Sequence, residues 1–185
     1  MATGLNPRKC KHCKTKYIPV KPRQTACSID CAIALMEAAK RKIQRKKDAQ
    51  KRIEMKSRQE WSRDAQTVVN KYVRRLAELN GEGCISCGTK SAEVYDAGHY
   101  IAVGNTAGGS LLRYDTRNIY LQCRRCNSFL RGNLIEYRKN LVERVGIELV
   151  EWLESQRGIK RWSEEDLRAI IAEYKLKLKE LEGKK

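Results

Sequence analysis

No stretch of the sequence approaches the roughly 18–20 consecutive apolar residues that a membrane-spanning helix requires, and the hydrophobic fraction is 41%. An integral membrane protein is therefore not expected, and no membrane partner either. The first ten residues, MATGLNPRKC, lack the apolar core of a secretory leader, so a cytoplasmic protein is expected. Acidic side chains are scarce, with 22 Asp and Glu against 39 Lys and Arg and a formal net charge of +17. Such an excess points to a polyanionic partner. Histidine is rarer still, with two in 185 residues. No repeat of fixed period is visible, and the length allows one ordinary domain with appendages.

Cysteine, by contrast, is plentiful and ordered. Eight residues form four close pairs: Cys10/Cys13, Cys27/Cys31, Cys84/Cys87 and Cys123/Cys126. In a reducing compartment this spacing suggests two four-ligand zinc sites rather than disulfides. The first quartet brackets a loop with Pro19 and Pro22, the form of a small zinc knuckle. So short a segment holds too little apolar material to fold alone, whereas a thiolate-bound metal supplies on the order of 10 kcal/mol. Four cysteines suffice as ligands, although three cysteines with His12 would also make a site.

The charge is unevenly spread. Residues 1–60 carry an excess of +12, residues 61–140 of +5, and residues 141–185 of zero. The stretch 33–60 contains neither Gly nor Pro and few large apolar residues, which predicts a long, mostly exposed helix. Lys40, Arg41, Lys42, Arg45, Lys46, Lys47, Lys51 and Arg52 make it a candidate phosphate-tracking arm, with a solvated linker helix as the plainer reading. Downstream, Trp61, Ala65, Val68, Val69, Tyr72, Val73, Leu76 and Leu79 recur at helical spacing before Asn80-Gly81. Leu134, Tyr137, Leu141 and Val145 predict another helix that ends at Gly146, followed by a short apolar segment. Ser163 with Asp166 caps a final helix, whose stripe runs from Leu167 to Leu181 and closes either the core or a dimer interface.

The informative segment is CISC (84–87), then YDAGHY (95–100), then NIYLQCRRCN (118–127). Two CxxC pairs with a long insert can tie distant strands to one structural zinc. The order His99, Asn118, Asn127, with the last directly after CxxC, resembles HNH endonucleases of the ββα-metal, treble-clef type. Over nearly the whole chain, the N-terminal knuckle, the basic helix, "CISCG", "DAGHY", "LRYDTRN", "QCRRCN" and "GNLIEYR" resemble the NinG (Rap) recombination endonucleases of lambdoid phages.

That resemblance implies a mainly helical α+β fold: a zinc-stapled ββα-metal core (61–140), an N-terminal zinc knuckle (1–32), a basic helical arm (33–60) and flanking C-terminal helices (141–185). It also implies an endonuclease that cuts branched intermediates such as Holliday junctions and D-loops in phage recombination, in the host cytoplasm. A homodimer and other recombination proteins are possible partners. Cutting a phosphodiester requires an activated water and stabilised charge on phosphorus and on the leaving oxygen. His99 can be the general base, since imidazole titrates near operating pH. Asn127 can offer an oxygen to Mg²⁺ or Mn²⁺, and the family analogy gives Asn118 a positional role in aiming His99.

Asp96 is the awkward residue. Many HNH enzymes place an acidic residue or His directly before the first motif His, and here that position is Gly98. Strand alternation puts Asp96 and His99 on opposite faces, so Asp96 joins the metal site only if Ala97-Gly98 forms a bulge or bend. Otherwise it is a surface or turn carboxylate. Arg124 and Arg125 are expected to touch phosphate. The glycine-rich 104–110 lacks a phosphate-loop ending, and Glu136 reads as an ordinary helix residue. Two other functions fit the same sequence: a non-catalytic zinc-stapled DNA-binding accessory protein, and an HNH nuclease acting on plain duplex.

Overall fold

The computed structural model describes residues 6–104, 111–156 and 158–183; the glycine-rich insert expected at 104–110 lies outside these except for Gly104. The chain divides into two units, 1–56 and 57–185.

In the first unit, β1 (Arg8–Lys9) and β2 (Lys16–Tyr17) pair antiparallel around the Cys10–Cys13 turn. Helix α1 (Ile29–Glu54) follows, capped by Ser28, whose side chain accepts the Cys31 backbone N–H at 3.2 Å. Cys31 therefore lies in the first turn of the basic arm, which makes knuckle and arm one continuous element. α1 buries no residue, as its few apolar side chains predicted. At 3.6 residues per turn its cations ring the helix rather than lining one face. The helix begins four residues before the expected 33 and stops at Glu54 rather than running to 60. The reason is local: Ser57 accepts from Glu60 N–H while the Glu60 carboxylate accepts from Ser57 N–H, a capping box that starts a new helix.

That helix is α2 (Arg58–Leu79). The second unit continues with β3 (Tyr95–His99), a 3₁₀ turn at Thr116–Asn118, β4 (Ile119–Cys123), a π-turn at Arg125–Phe129, α3 (Leu134–Val145), α4 (Ile147–Ser155) and α5 (Glu164–Glu182). Gly146 joins α3 to α4 at φ 85° and ψ 156°, a conformation essentially confined to glycine. α5 carries the predicted cap, with Asp166 N–H donating to Ser163 at 3.1 Å.

Two apolar clusters enclose the β3–β4 hairpin. On one face Ala97 and Ile119 pack with Ala65, Val69 and Val73 of α2 and with Leu167, Ile171, Tyr174 and Leu178 of α5. The α5 stripe is thus buried in the chain's own core. In the other cluster Tyr100, Tyr137, Leu141, Val150 and Leu153 pack together, with Tyr120 against them. Burying a Leu or Ile side chain contributes roughly 1.5–3 kcal/mol, so these clusters hold the hairpin from both sides. The result is a mainly helical α+β chain with two small two-stranded sheets. No helix among the described residues is long and apolar enough to cross a membrane.

Candidate functional site

Both cysteine quartets are assembled. Within each, the four sulfurs lie within 4.8 Å of one another, and all eight cysteines are unbridged. Cys13 and Cys27 sulfurs are 3.5 Å apart, Cys27 and Cys31 3.6 Å, and Cys87 and Cys123 3.8 Å. Four thiolates about 2.3 Å from a zinc ion form a tetrahedron with edges of about 3.8 Å, so both quartets could hold zinc. Burial pushes the Cys10 thiol up, but backbone N–H groups of Cys13, Cys27 and His12 together outweigh it and hold the thiol at about 6. In the second quartet Cys84 is also lowered, burial being outweighed by backbone N–H groups of Cys123, Cys87 and Ser86. His12 is exposed and belongs to neither ligand cluster.

The second quartet lies at the end of the hairpin where Tyr95 pairs with Cys123. Ile85 N–H donates to Leu121 O at 2.8 Å, and the Asn140 side chain of α3 donates to Ile85 O and Ser86 O at 2.8 and 3.1 Å. β3 and β4 pair without interruption from Tyr95↔Cys123 to His99↔Ile119. The bulge at Ala97-Gly98 that would have turned Asp96 toward His99 is therefore absent. By the pleat, His99 shares the face of Ala97 and Ile119, whereas Asp96 shares the opposite face with Gly98, Tyr120 and Gln122.

His99 is half-buried. Its Nε2 lies 3.0 Å from the Arg113 carbonyl oxygen. A carbonyl only accepts, so Nε2 carries the proton and Nδ1 keeps its lone pair. Burial lowers the His99 pKa below its ordinary 6.5; the Arg113 cation lowers it further, against the Arg113 carbonyl, which raises it. The imidazole is thus neutral at neutral pH with one basic nitrogen. Asn118 is fully buried. Its amide accepts from Ile101 N–H at 2.7 Å and donates to Ile101 O at 3.0 Å and Leu112 O at 3.4 Å, while Tyr100 N–H donates to Asn118 O at 2.9 Å. These bonds clamp the chain immediately after His99.

On the other face, the Asp96 carboxylate accepts from Arg124 at 3.1 and 3.2 Å and from the Asn127 amide at 3.3 Å. Asp96 and Asn127 are brought together, but apart from His99. Asn127 lies in the π-turn, not in an α-helix. Arg124 and Arg125 are exposed, with Arg124 committed to Asp96. The arm cations from Lys40 to Arg52 are all exposed on α1. Glu136 is exposed near the start of α3. Among the described residues, only the two cysteine quartets gather three or more His, Cys, Asp or Glu ligands at metal-binding separation.

A family model described as "Bacteriophage Lambda NinG protein" matches residues 3–184. The chain belongs to the NinG family. It is similar to the protein ninG of Salmonella phage P22, at 38% identity, with 94% of this chain and 93% of the relative covered. The proteins ninG of Escherichia phage 933W and Escherichia phage lambda are each 37% identical over the same shares. No solved structure matches.

In this NinG family member, two residues that support the site, Gln122 and Tyr137, were not among the expected site residues. Gln122 is fully buried; its Nε2 donates to Ser86 Oγ at 2.7 Å and Gly132 O at 2.5 Å, while its Oε1 has no partner. It fills the space beside Gly98, where a Cβ would collide with Gln122 Oε1. Tyr137, fully buried, donates its hydroxyl to Gly98 O at 3.0 Å and anchors the strand just before His99. Its helical spacing marked it as core but not as a hydrogen-bond donor to the site.

Proposed function

We propose that the protein is a metal-dependent DNA endonuclease of the HNH type that cuts branched recombination intermediates, such as Holliday junctions and D-loops. The observation that carries this reading is His99: a neutral, half-buried imidazole whose Nε2–H is tied to the Arg113 carbonyl, leaving Nδ1 as the base. A pure DNA-binding module has no need of an oriented imidazole clamped from behind by a buried asparagine. His99 Nδ1 takes a proton from water, the water oxygen adds to phosphorus, and the bond from phosphorus to the 3′ oxygen breaks. Asn118 keeps His99 in place through the Ile101 and Leu112 backbone.

The side-chain oxygen of Asn127, whose amide nitrogen donates to Asp96, fits a hard divalent cation. Asn127 would hold a Mg²⁺ or Mn²⁺ ion, which would supply positive charge for the phosphate oxygens; with no bulge at Ala97-Gly98, Asp96 stays on the strand face opposite His99, paired with Arg124, and is not assigned to that ion. Zinc in the two quartets is structural. The α1 cations and Arg125 grip DNA through phosphates, and two cuts per junction suit a homodimer.

The test is cleavage of a labelled four-way junction and of matched linear duplex with Mg²⁺ or Mn²⁺, for wild type beside His99→Ala. Junction cleavage that falls by roughly 10²–10⁴ in the variant is expected. Equal cleavage by the variant removes His99 as base, and equal rates on duplex remove the branched preference. No cleavage of either DNA by wild type leaves a DNA-binding accessory protein.

A further inference from the structure

A cleft of about 580 Å³ opens between the start of α2, Arg113 and the segment leading into α5. These elements flank the hairpin face that carries His99. A water occupies about 30 Å³, so the cleft has room for a sugar–phosphate segment rather than a few waters. Three stretches of chain bring Arg58, Arg63, Arg113, Lys160 and Arg161 to its walls, and among the described residues no carboxylate lines it.

Several arginines elsewhere in this unit are paired: Arg117 with Asp115 at 2.6 Å, Arg138 with Glu154 at 2.7 Å, Arg144 with Glu82 at 2.5 Å and Arg168 with Glu164 at 2.8 Å. Around the cleft, Arg58, Arg63 and Arg161 pair with no carboxylate among the described residues. These three like charges, gathered without a carboxylate, repel one another and are relieved by an anion. Arg113 is also fixed in place: its guanidinium donates to Val103 O at 2.7 Å, and its carbonyl holds His99. One residue therefore joins the cleft to the imidazole.

We propose that this cleft is a second phosphate-binding site, separate from the α1 arm, which holds the nucleic-acid backbone on the strand facing His99. The identity of that strand rests on the nuclease reading above; the anion site does not. A grip beside His99 aligns one strand as well as raising affinity.

The test uses the full chain and Arg63→Gln/Arg161→Gln, two exposed side chains outside both apolar clusters. Pyrophosphate, titrated against tryptophan fluorescence, probes the anion site, because Lys160 stacks over the Trp162 ring at 3.9 Å and both line the cleft. A saturable change in wild type that is lost in the double variant is expected. No saturable change, or an equal one in the variant, overturns the site. In parallel, duplex binding without divalent metal should show a salt slope smaller by about 1.8 in the variant, at about 0.9 for each phosphate no longer neutralised. An unchanged slope overturns the nucleic-acid occupant. Failure of wild type to bind DNA while the pyrophosphate response persists overturns that occupant and the nuclease reading together, leaving an anion site of another kind.

Discussion

Around Cys10, Cys13, Cys27 and Cys31 the chain buries very little: among the described residues of the first unit only Cys10, Pro19 and Ala26 are inaccessible to solvent. Around Cys84, Cys87, Cys123 and Cys126 the hairpin is closed by α2 and α5 on one face and supported through Tyr137 and Asn140 of α3. The same ligand set therefore has different consequences in the two units. In the first, the quartet is nearly all that organises the hairpin, and it is joined directly to a helix with no buried face. In the second, it trims a core that apolar packing already holds, and so can fix the strand carrying His99 more finely than packing alone.

The strongest challenge to this contrast is metal removal. Cys27→Ser should unfold the hairpin over residues 8–28, because metal binding contributes on the order of 10 kcal/mol to such a segment. Cys87→Ser should weaken the second unit without abolishing its fold. Hydrogen exchange resolved along the chain, with elemental analysis falling from two zincs to one in each case, measures both. Equal loss of structure in the two units would remove the distinction. Next in size is the loss of roughly 10²–10⁴ in cleavage from His99→Ala, which should leave DNA affinity unchanged, since affinity is assigned to charge elsewhere.

Core truncation sharpens the same comparison. Leu141 is fully buried in the second cluster, so Leu141→Ala should cost about 2–5 kcal/mol in denaturant unfolding and leave the exchange pattern of the first unit intact. Neutralising Lys46, Lys47, Lys51 and Arg52 should reduce the salt slope of DNA binding by up to about 3.6, at about 0.9 for each phosphate released, without changing melting, because α1 buries nothing. An unchanged slope would make α1 a linker. The smallest effect is in pH. The base must be neutral to accept a proton, and burial lowers the His99 pKa, so cleavage should fall only as pH drops through a value below the ordinary 6.5. A midpoint above 6.5 in the pH profile of kcat/KM, which reports the free protein, would contradict a His99 pKa lowered by burial.

Much of this arrangement could be read from residue spacing because spacing alone determines it. Four pairs of cysteines at two or three residues' separation can hardly be used otherwise in a reducing compartment, and the 3.6-residue stripes of α2 and α5 carry their own partners. The end of the basic arm was legible too, in Ser57 and Glu60, but the absence of Gly and Pro nearby masks that signal. What spacing does not contain is the pairing across the hairpin. Whether Ala97-Gly98 bulges depends on Leu121, Gln122 and Tyr120 opposite, on the Tyr137 hydroxyl and on the packing beneath Ala97. The basic cleft is invisible for a similar reason: Arg58, Arg63, Arg113, Lys160 and Arg161 are distant in sequence and converge only when α5 folds back onto α2.

The close approach of Gly98 to Gln122 bears on how such a site can vary. Any side chain at 98 would run into the Gln122 amide, while shortening Gln122 would leave Ser86 Oγ and the Gly132 carbonyl without the donor they now share. A carboxylate can therefore enter next to His99 only together with a smaller residue at 122 and a new donor for those two oxygens. The two positions are thus coupled through packing, and a side chain at 98 is possible only with a change at 122.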